Sequence, residues 1–398
     1  MNNWCGMLHH FLRHKLVRGD LTRLMRRPEL SLGECYTDGV LQIERGDVYD
    51  LLDLVARNLP AGRTRWPPGW RTWLKLQRWC QQHNGRRAAR RNVARHYELP
   101  LDLYRRFLDD DLQYSCAYFQ RPGMSLEAAQ AAKKAHIAAK LRLEPGLRVL
   151  DIGCGWGGLC LSLAAEAGAE TVGISLSPQQ VEEARRRAGR GGLANRAAFE
   201  LKDYREVEGR FDRIVSVGML EHVGRPNFRT YFETVARLLT DDGVAVIHAI
   251  GHKGEPGLTN PWIAKYIFPG GYMPALSEVL PEIEATGLWV ADIEVLRLHY
   301  AETLRCWRRR FAAHRAEVAL DQGEWFCRMW EFYLACSEVA FRRLGHMVFQ
   351  IQLTRRPDAV PLTRDYLHAR GVETGHHTHR SQAAFVVQSG DPQPGALH

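Results

Sequence analysis

The alternation of strand and helix patterns after about residue 146 constrains the fold of this chain most strongly. Five short apolar segments have the length and composition of buried strands, and segments with helical spacing of apolar residues separate them. Such alternation indicates a parallel sheet with helices on both faces. The five segments are RVLDI, ETVGIS, AAFEL, FDRIVSV and GVAVIHAI. Two more candidates, 288–298 and 346–354, flank two helices rich in Trp, Phe and Arg. We therefore predict an α/β fold with seven strands.

A glycine-rich turn, VLDIGCGWGG (149–158), lies directly between the first strand and a helix that we expect to start at residue 156. Gly153 and Gly155 permit a ligand to approach the backbone, and the helix N-terminus offers free N–H groups. The string also satisfies G-x-G-x-x-G, but a dinucleotide site needs an acidic residue after the second strand. That strand ends at Ser175, without an acid, whereas Asp151 precedes the first glycine. This pattern favours S-adenosylmethionine over NAD.

A carboxylate in unexpected apolar company follows the strand FDRIVSV, in the segment SVGMLEHVG (216–224). A charge there is costly unless it is paired. Glu221 could complement the dipole of the next helix, or it could belong to a functional site. This stretch alone leaves both interpretations open.

Composition excludes several classes of protein. The sequence has no run of eighteen apolar residues, so we expect no transmembrane helix, and its N-terminus lacks the apolar core of a signal peptide. The nine cysteines include no CxxC pair, so we predict neither a metal site nor a disulfide framework. A reducing cytoplasm fits this cysteine usage best.

Positive charge is concentrated near the N-terminus. The chain has a net charge of +9, yet residues 1–95 contain 18 lysines and arginines against 8 acidic residues. Five arginines lie close together: Arg86, Arg87, Arg90, Arg91 and Arg95. They favour an anionic membrane surface or nucleic acid as partner, although a solvated arginine-rich helix is also possible. We expect no nucleic-acid partner, because the α/β part of the chain has no basic stripe with interleaved aromatic residues and no N/D-P-P-Y/F motif.

The same features divide the chain into three parts. Residues 1–91 are predicted to form a small basic helical domain, with a turn or linker at 62–70. Within it, the segment 71–82 suits either a membrane interface or packing against a neighbouring helix. Residues 92–370 are predicted to form the α/β domain that binds S-adenosylmethionine. Residues 371–398 lack periodicity and read as a disordered tail.

The chain resembles the cyclopropane-fatty-acyl-phospholipid synthases and the mycolic acid cyclopropane synthases over about residues 92–356. The motifs that carry the resemblance include HYELPLDLYRRFLD, YSCAYF, MSLEAAQAAK, VLDIGCGWGG, FDRIVSVGMLEHVG, VIHAIG, KYIFPGG and HYAETLRCW. A weaker trace, GECYTDG (33–39), is similar to the family's N-terminal domain. The resemblance implies a Rossmann-like class I methyltransferase fold with a mostly parallel seven-stranded sheet, helical insertions and a lid.

By the same resemblance, the enzyme transfers a methylene group from S-adenosylmethionine to the cis double bond of an unsaturated phospholipid acyl chain. It would work in the cytoplasm, attached peripherally to the inner face of the membrane, and a homodimer is left open. Bicarbonate would act as the base, held by Cys116, Glu221, His248 and Tyr300. Aromatic faces of Tyr300, Tyr118 and Phe268 would steady the cation. The implied cofactor contacts are Tyr114, Ser115, Asp151, Gly153, Cys154, Gly155, Trp156, Gly157, Ser175, Gln180, Asp203 and Tyr204.

Three positions depart from the family pattern: Pro100–Leu101, Ala249 and Ser337. Pro100–Leu101 puts the shape of the lid in doubt, and Ala249 puts in doubt a hydroxyl group near the anion. Ser337 occupies the position at which many family members have a cysteine once proposed as a nucleophile. A methyl-branched product, methylation of a small amine and a non-catalytic lipid-binding role are the alternatives. Neither the acyl length, the double-bond position nor the head group can be predicted.

Overall fold

The computed structural model describes residues 27–59 and 99–367. Several sequence-based predictions therefore lie outside the described residues. These are the linker at 62–70, the helix at 71–82, the arginines between 86 and 95, and the tail at 371–398.

A single seven-stranded sheet forms the centre of the described structure, in the order β3-β2-β1-β4-β5-β7-β6. Strand β7 is antiparallel to both of its neighbours, and the pairs among β1 to β5 are parallel. This confirms the predicted α/β fold with a mostly parallel sheet. The strands are β1 Arg148–Ile152, β2 Glu170–Ser175, β3 Ala197–Leu201, β4 Phe211–Val217, β5 Leu239–His252, β6 Trp289–Val295 and β7 His346–Thr354.

Thirteen α-helices belong to the described residues. They are α1 Pro28–Thr37, α2 Val48–Arg57, α3 Leu101–Phe107, α4 Leu126–Lys140, α5 Gly158–Ala167, α6 Pro178–Arg190, α7 Leu220–Val223, α8 Phe228–Leu238, α9 Pro261–Tyr266, α10 Leu276–Glu284, α11 His299–Ala313, α12 Arg315–Gln322 and α13 Glu324–Arg343. In the part of the chain that the structure describes, no helix is both long and apolar enough to cross a bilayer.

Several predicted boundaries differ from the observed ones by one to four residues. Strand β5 begins at Leu239, four residues earlier than expected, because Leu239 already pairs with Phe211 of β4. Helix α5 begins two residues later than expected, at Gly158, because Gly157 adopts a left-handed φ of 81° at the N-cap. Strand β6 ends at Val295, where the chain turns towards α11.

The carboxyl ends of the parallel strands meet at one edge of the sheet, where open α/β folds bind ligands. The glycine-rich turn follows β1, and Ser175 ends β2. Val217, the last residue of β4, pairs with His248 of β5. This register brings the segment with Glu221 and the strand with His248 to the same place.

A helical layer packs over this edge; we call it the helical cap and define it as α1, α2, α3, α9 and α11 to α13. Its interior is rich in buried aromatic side chains, among them Trp262, Trp307 and Trp330. The same apolar cluster includes Trp156 of the glycine-rich turn and Cys116. The cap therefore places apolar groups over the strand edge.

Candidate active site

Two adjoining cavities lie between the strand edge and the helical cap. The first, about 150 Å³, is bounded by the glycine-rich turn and by the residues that follow β2 and β3; we call it the glycine-turn pocket. The second, about 310 Å³, is bounded by the helical cap, β5 and α7; we call it the cap cavity. Tyr114, Ser115, Gly218 and His222 line both. A ligand in one cavity can therefore reach a ligand in the other through this junction.

The glycines of the turn have different surroundings. Gly153 and Gly155 have φ values of +89° and +53°, and a Cβ atom on Gly155 would meet nothing within 4 Å. This open space lets a ligand contact the backbone closely. A Cβ on Gly157 would instead lie 2.7 Å from Cβ of Ala184. Gly157 faces helix α6 and does not line the pocket, so the structure does not place this predicted contact at the site.

Asp151 provides a buried acceptor beside the turn. Its Oδ2 accepts a hydrogen bond from Sγ of Cys160 at 3.5 Å, while its Oδ1 has no partner among the described residues. Burial raises the pKa of Asp151 to about 7. A buried carboxyl oxygen without a donor is costly. A cationic ligand such as S-adenosylmethionine fits this position, because it carries both a sulfonium and an ammonium group.

The remaining predicted cofactor residues lie around the same pocket. The lining includes Tyr114, Ser115, Asp151, Gly153, Cys154, Gly155, Trp156, Ser175, Gln180, Asp203 and Tyr204. Ser175 Oγ donates to Oε1 of Gln180 at 2.9 Å, which fixes the end of β2 without an acidic residue. The Arg205 guanidinium holds the Asp203 carboxylate through bonds of 2.8 and 2.6 Å. The part of the pocket that follows β2 and β3 therefore offers hydroxyl, amide and carboxylate groups.

A buried lysine that the sequence analysis did not single out supports this pocket from behind. Lys133 is only 1% exposed, and its Nζ donates to Oε1 of Gln113 at 2.5 Å and to Oγ of Ser115 at 2.9 Å. Burial lowers its pKa to about 8. Both partners line the pocket. The available clue was that Lys133 falls on the apolar stripe of α4, between Ala129 and Ile137.

Four side chains predicted to hold an anion all line the cap cavity. Cys116 lies in the loop between α3 and α4, Glu221 in α7, His248 in β5 and Tyr300 in the first turn of α11. They come from four separate elements, so only the tertiary fold brings them together. The cavity is otherwise lined mainly by apolar side chains.

The Glu221 carboxyl group does not cap a helix. Its Oε1 accepts a hydrogen bond from the backbone N–H of Ile250 in β5, at 2.6 Å, and its Oε2 has no partner among the described residues. The residue is 7% exposed, and burial raises its pKa to about 7. One oxygen thus ties α7 to the sheet, and the other is left for a ligand.

Two of the other residues predicted to hold the anion, His248 and Cys116, are electrically neutral. Gln350 Nε2 donates to Nδ1 of His248 at 3.0 Å, which leaves the ring proton on Nε2. Burial lowers the His248 pKa to about 3, so the ring does not become charged near neutral pH. Burial also raises the pKa of the Cys116 thiol well above its usual range. Neutral N–H, S–H and O–H groups together form a donor set that suits a small anion.

The aromatic predictions have mixed outcomes. Tyr300 and Phe268 line the cap cavity. Tyr118 does not, because its ring is stacked between His136 at 4.4 Å and His299 at 4.9 Å. Its assignment to the cation site is therefore wrong. Tyr333, which no sequence motif indicated, also lies at the junction, and its hydroxyl oxygen is 2.7 Å from that of Tyr114.

The three departures from the family pattern occupy different environments. Ser337 lines the cap cavity beside Cys336, whose thiol pKa burial raises to about 12. Ala249 is fully buried within β5, and Pro100 is the N-cap of α3. Only Ser337 is in contact with the cavity.

Comparison with known proteins gives a consistent result. Residues 84–351 match the family model for mycolic acid cyclopropane synthetase. The cyclopropane-fatty-acyl-phospholipid synthase of Escherichia coli is 37% identical over 336 residues, which cover 84% of this chain and 85% of that protein. The tuberculostearic acid methyltransferase UfaA1 of Mycobacterium tuberculosis is also 37% identical, covering 84% of this chain and 80% of its own length.

Among solved structures, the mycolic acid cyclopropane synthase CmaA1, complexed with SAH and CTAB, is similar to this chain. The two are 32% identical with a TM-score of 0.63, and the match covers 66% of this chain and 97% of that one.

Proposed function

This chain belongs to the mycolic acid cyclopropane synthetase family and is an S-adenosylmethionine-dependent methyltransferase of that type. From that premise we propose that it adds a methylene group to the cis double bond of an unsaturated phospholipid acyl chain and forms a cyclopropane ring. One observation carries the proposal. The same apolar cavity, which adjoins the glycine-turn pocket, is lined by Cys116, Glu221, His248 and Tyr300.

The reaction sets clear demands on the site. An alkene is a weak nucleophile with no proton to lose beforehand, and its methylation leaves a carbocation on the acyl chain. Ring closure then requires removal of a proton from the newly added carbon, within an apolar cavity. When bound, S-adenosylmethionine would supply the methyl group and bicarbonate would supply a base. The residues of the chain must bind and orient these two groups and must exclude water from around them.

The cap cavity residues meet the demand for an anion site. His248 offers an N–H donor and Tyr300 an O–H donor. The Cys116 thiol donates to the backbone oxygen of Ala117 at 3.3 Å, so its S–H would turn towards the anion on binding. The unpartnered Oε2 of Glu221 can accept a hydrogen bond from the hydroxyl group of bicarbonate. When the Glu221 carboxyl group is protonated, it can instead donate a hydrogen bond to the anion. Because the cavity is apolar, these hydrogen bonds are stronger than they are in water. We therefore assign the bicarbonate to these four residues.

Two aromatic rings are placed to stabilise positive charge on the acyl chain. Phe268 and Tyr300 line the cap cavity, and their ring faces attract cations. Tyr300 packs at a ring-centre distance of 4.8 Å from Phe341 and 5.7 Å from Trp307, so its position is fixed. The helical cap keeps water from the cation, which would otherwise be trapped as an alcohol.

The basic N-terminal region is assigned to the membrane. Its excess of arginine and lysine favours anionic phospholipid, which would bring the enzyme to its substrate on the inner face of the membrane. We keep residues 1–91 as a docking or dimerisation region and 92–370 as the catalytic domain.

A methyl-branched product is the second candidate. One relative at 37% identity is named a tuberculostearic acid methyltransferase. The same methyl transfer would produce a branch rather than a ring if the cation lost a proton from a neighbouring carbon of the acyl chain, which gives a methyl-branched alkene with the same net gain of CH2. A saturated branch would also require hydride from a separate reductant and would be a net gain of CH4.

The test uses the purified full chain, S-adenosylmethionine and vesicles that contain an unsaturated phosphatidylglycerol. Mass spectrometry of the lipid detects gain of one CH2 unit, and proton NMR identifies the strongly shielded protons of a cyclopropane ring. Ring protons are expected. A gain of CH2 without them would favour the branched product, and no gain would refute methylation of phospholipid chains.

A further inference from the structure

One wall of the cap cavity comes from the two N-terminal helices. Leu32 of α1 lines the cavity, as do Leu52, Val55 and Ala56 of α2 and Leu59 just beyond it. Both helices precede residue 84, where the match to the family model begins. The catalytic residues thus lie within the segment that the family model matches, whereas this wall lies before it.

Helix α1 is firmly attached to the helical cap. A Cβ on Gly33 would lie 2.4 Å from Cδ1 of Trp262, so only glycine permits this approach between α1 and α9. The buried Glu34 carboxylate accepts hydrogen bonds from Nζ of Lys265 at 2.7 Å and from the Tyr266 hydroxyl at 3.0 Å. These contacts give a structural role to the GECYTDG segment and fix the position of α1.

Helix α2 is attached at its N-terminus and at its middle. Asp47 forms a capping box with Asp50 and an ion pair with Arg308 of α11 at 2.7 Å. Asp53 pairs with Arg343 of α13, also at 2.7 Å. These ion pairs orient α2, and the buried side chains of Val48 and Leu52 pack it into the apolar core of the cap.

Helix α2 runs from the buried part of the cavity to its exposed end, and this direction indicates the path that an acyl chain would take. Leu52 is 8% exposed and lies inside, whereas Leu59 is 40% exposed. Leu344, which also lines the cavity, is 46% exposed. An acyl chain whose ester remains outside would enter where these two leucines are exposed. It would then pass Ala56 and Val55 before it reaches the anion site.

We propose that the α1–α2 wall selects the substrate by the distance between the ester and the double bond. The inference rests on the proposed function. A fixed wall along the entry path sets how many methylene groups fit between the entrance and Glu221. Positional isomers would then present their double bonds to the reacting groups unequally. Ala56 is the smallest side chain of the wall, so it is the position at which added volume alters the path most.

The experiment is an internal competition. The full chain is given vesicles with equal amounts of three phosphatidylglycerols that differ only in the position of the cis double bond. The acyl chains are released after the reaction, the isomeric products are separated by gas chromatography against standards, and mass spectrometry quantifies each one to give the product ratio. Because all three substrates meet the same enzyme, this ratio reports relative kcat/KM and does not depend on how much of a variant is folded.

Ala56→Phe narrows the path of the acyl chain. Val55→Ala widens this path, and the change is small enough for the variant protein to fold. Leu54→Phe is the matched control, because Leu54 lies on the same helix but does not line the cavity. Ala56→Phe is expected to change the product ratio about tenfold, and Val55→Ala to change it in the opposite direction. Leu54→Phe should leave the ratio within about twofold of the wild type.

Two outcomes would overturn the inference, and they are distinguishable. If both wall variants modify the three lipids in the wild-type ratio, the wall does not select the substrate although the proposed function stands. If the wild-type chain modifies none of the three lipids, the proposed function fails and this inference fails with it.

Discussion

Replacement of Glu221 by glutamine separates the catalytic role of this residue from a structural one. The amide oxygen of glutamine can still accept the hydrogen bond that Oε1 of Glu221 receives from Ile250 at 2.6 Å. The amide nitrogen then takes the place of Oε2, donates where the carboxylate accepts, and cannot titrate. The substitution therefore retains the link between α7 and β5 and changes only the group that faces the ligand.

The expected loss falls on turnover. One misplaced polar group at a charge-stabilising site costs about 100-fold in rate, or about 2.7 kcal/mol of activation free energy. The affinity for S-adenosylmethionine, measured by calorimetry, should change less than about threefold, because the Asp151 carboxyl and the glycine-rich turn are unaltered.

The effect of the same substitution on stability depends on pH. Burial raises the Glu221 pKa from 4.5 to about 7, so the folded protein holds this proton more tightly than the unfolded chain does. The wild type therefore loses stability as pH rises from about 4.5 to 7, by at most roughly 3 kcal/mol. Glutamine has no such loss. In bicarbonate-free buffer, Glu221→Gln should melt at the wild-type temperature near pH 5 and above it near pH 8.

Glu338→Gln is the matched control for a buried glutamate. Its carboxylate is paired with Arg308 at 3.2 Å and with Arg342 at 2.9 Å. This variant should melt at a lower temperature and retain turnover per folded molecule. If Glu221→Gln behaves in the same way, with near wild-type turnover and a lowered melting temperature, Glu221 is a structural residue and the proposed anion site is wrong.

Three further predictions concern the cofactor pocket and the membrane. Lys133→Met should weaken S-adenosylmethionine binding about tenfold at pH 7, because Ser115 and Gln113 lose the ammonium that orients them. The wild-type affinity should fall above pH 8, where Lys133 loses its proton, and that of the variant should not; equal pH profiles would contradict the role. Gly155→Ala should abolish measurable cofactor binding and lower the free energy of unfolding by about 1 kcal/mol. Gly157→Ala should lower the free energy of unfolding by about 2–3 kcal/mol, because its Cβ meets Ala184. The reverse pattern would refute the assignment of the open space at Gly155 to a ligand. Binding of the full chain to vesicles, measured by sedimentation, should rise with anionic lipid and fall with salt, and equal binding to neutral vesicles at low salt would count against electrostatic docking.

The sheet was predictable because its evidence is local. Each strand from β1 to β5 is a short apolar run next to a helical pattern, and such runs retain their meaning wherever they lie in the chain. The ends of β5 and β6 were less predictable, since pairing with a neighbouring strand decides where a strand stops. The pair of Leu239 with Phe211 cannot be read from either segment alone.

The site was predictable only as a set of residues, not as an arrangement. The segment around Glu221 is compatible with a helix cap, and the donor that decides otherwise is Ile250, 29 residues further on. Motif membership placed Gly157 and Tyr118 at the site, but it does not reveal which way a Cβ or a ring points. The α1–α2 wall depends on contacts such as that of Tyr36 with Glu331, which are 295 residues apart in sequence.

The central claim is that the transferred methyl group itself loses a proton within the cap cavity. S-adenosylmethionine with a trideuterated methyl group tests this claim directly, with mass spectrometry of the modified phospholipid as the readout. The proposed function predicts that the product gains a CD2 unit, with two of the three deuterium atoms retained. A product that retains all three deuterium atoms would show that no proton leaves the methyl carbon, and would contradict the assignment of Cys116, Glu221, His248 and Tyr300 to a base.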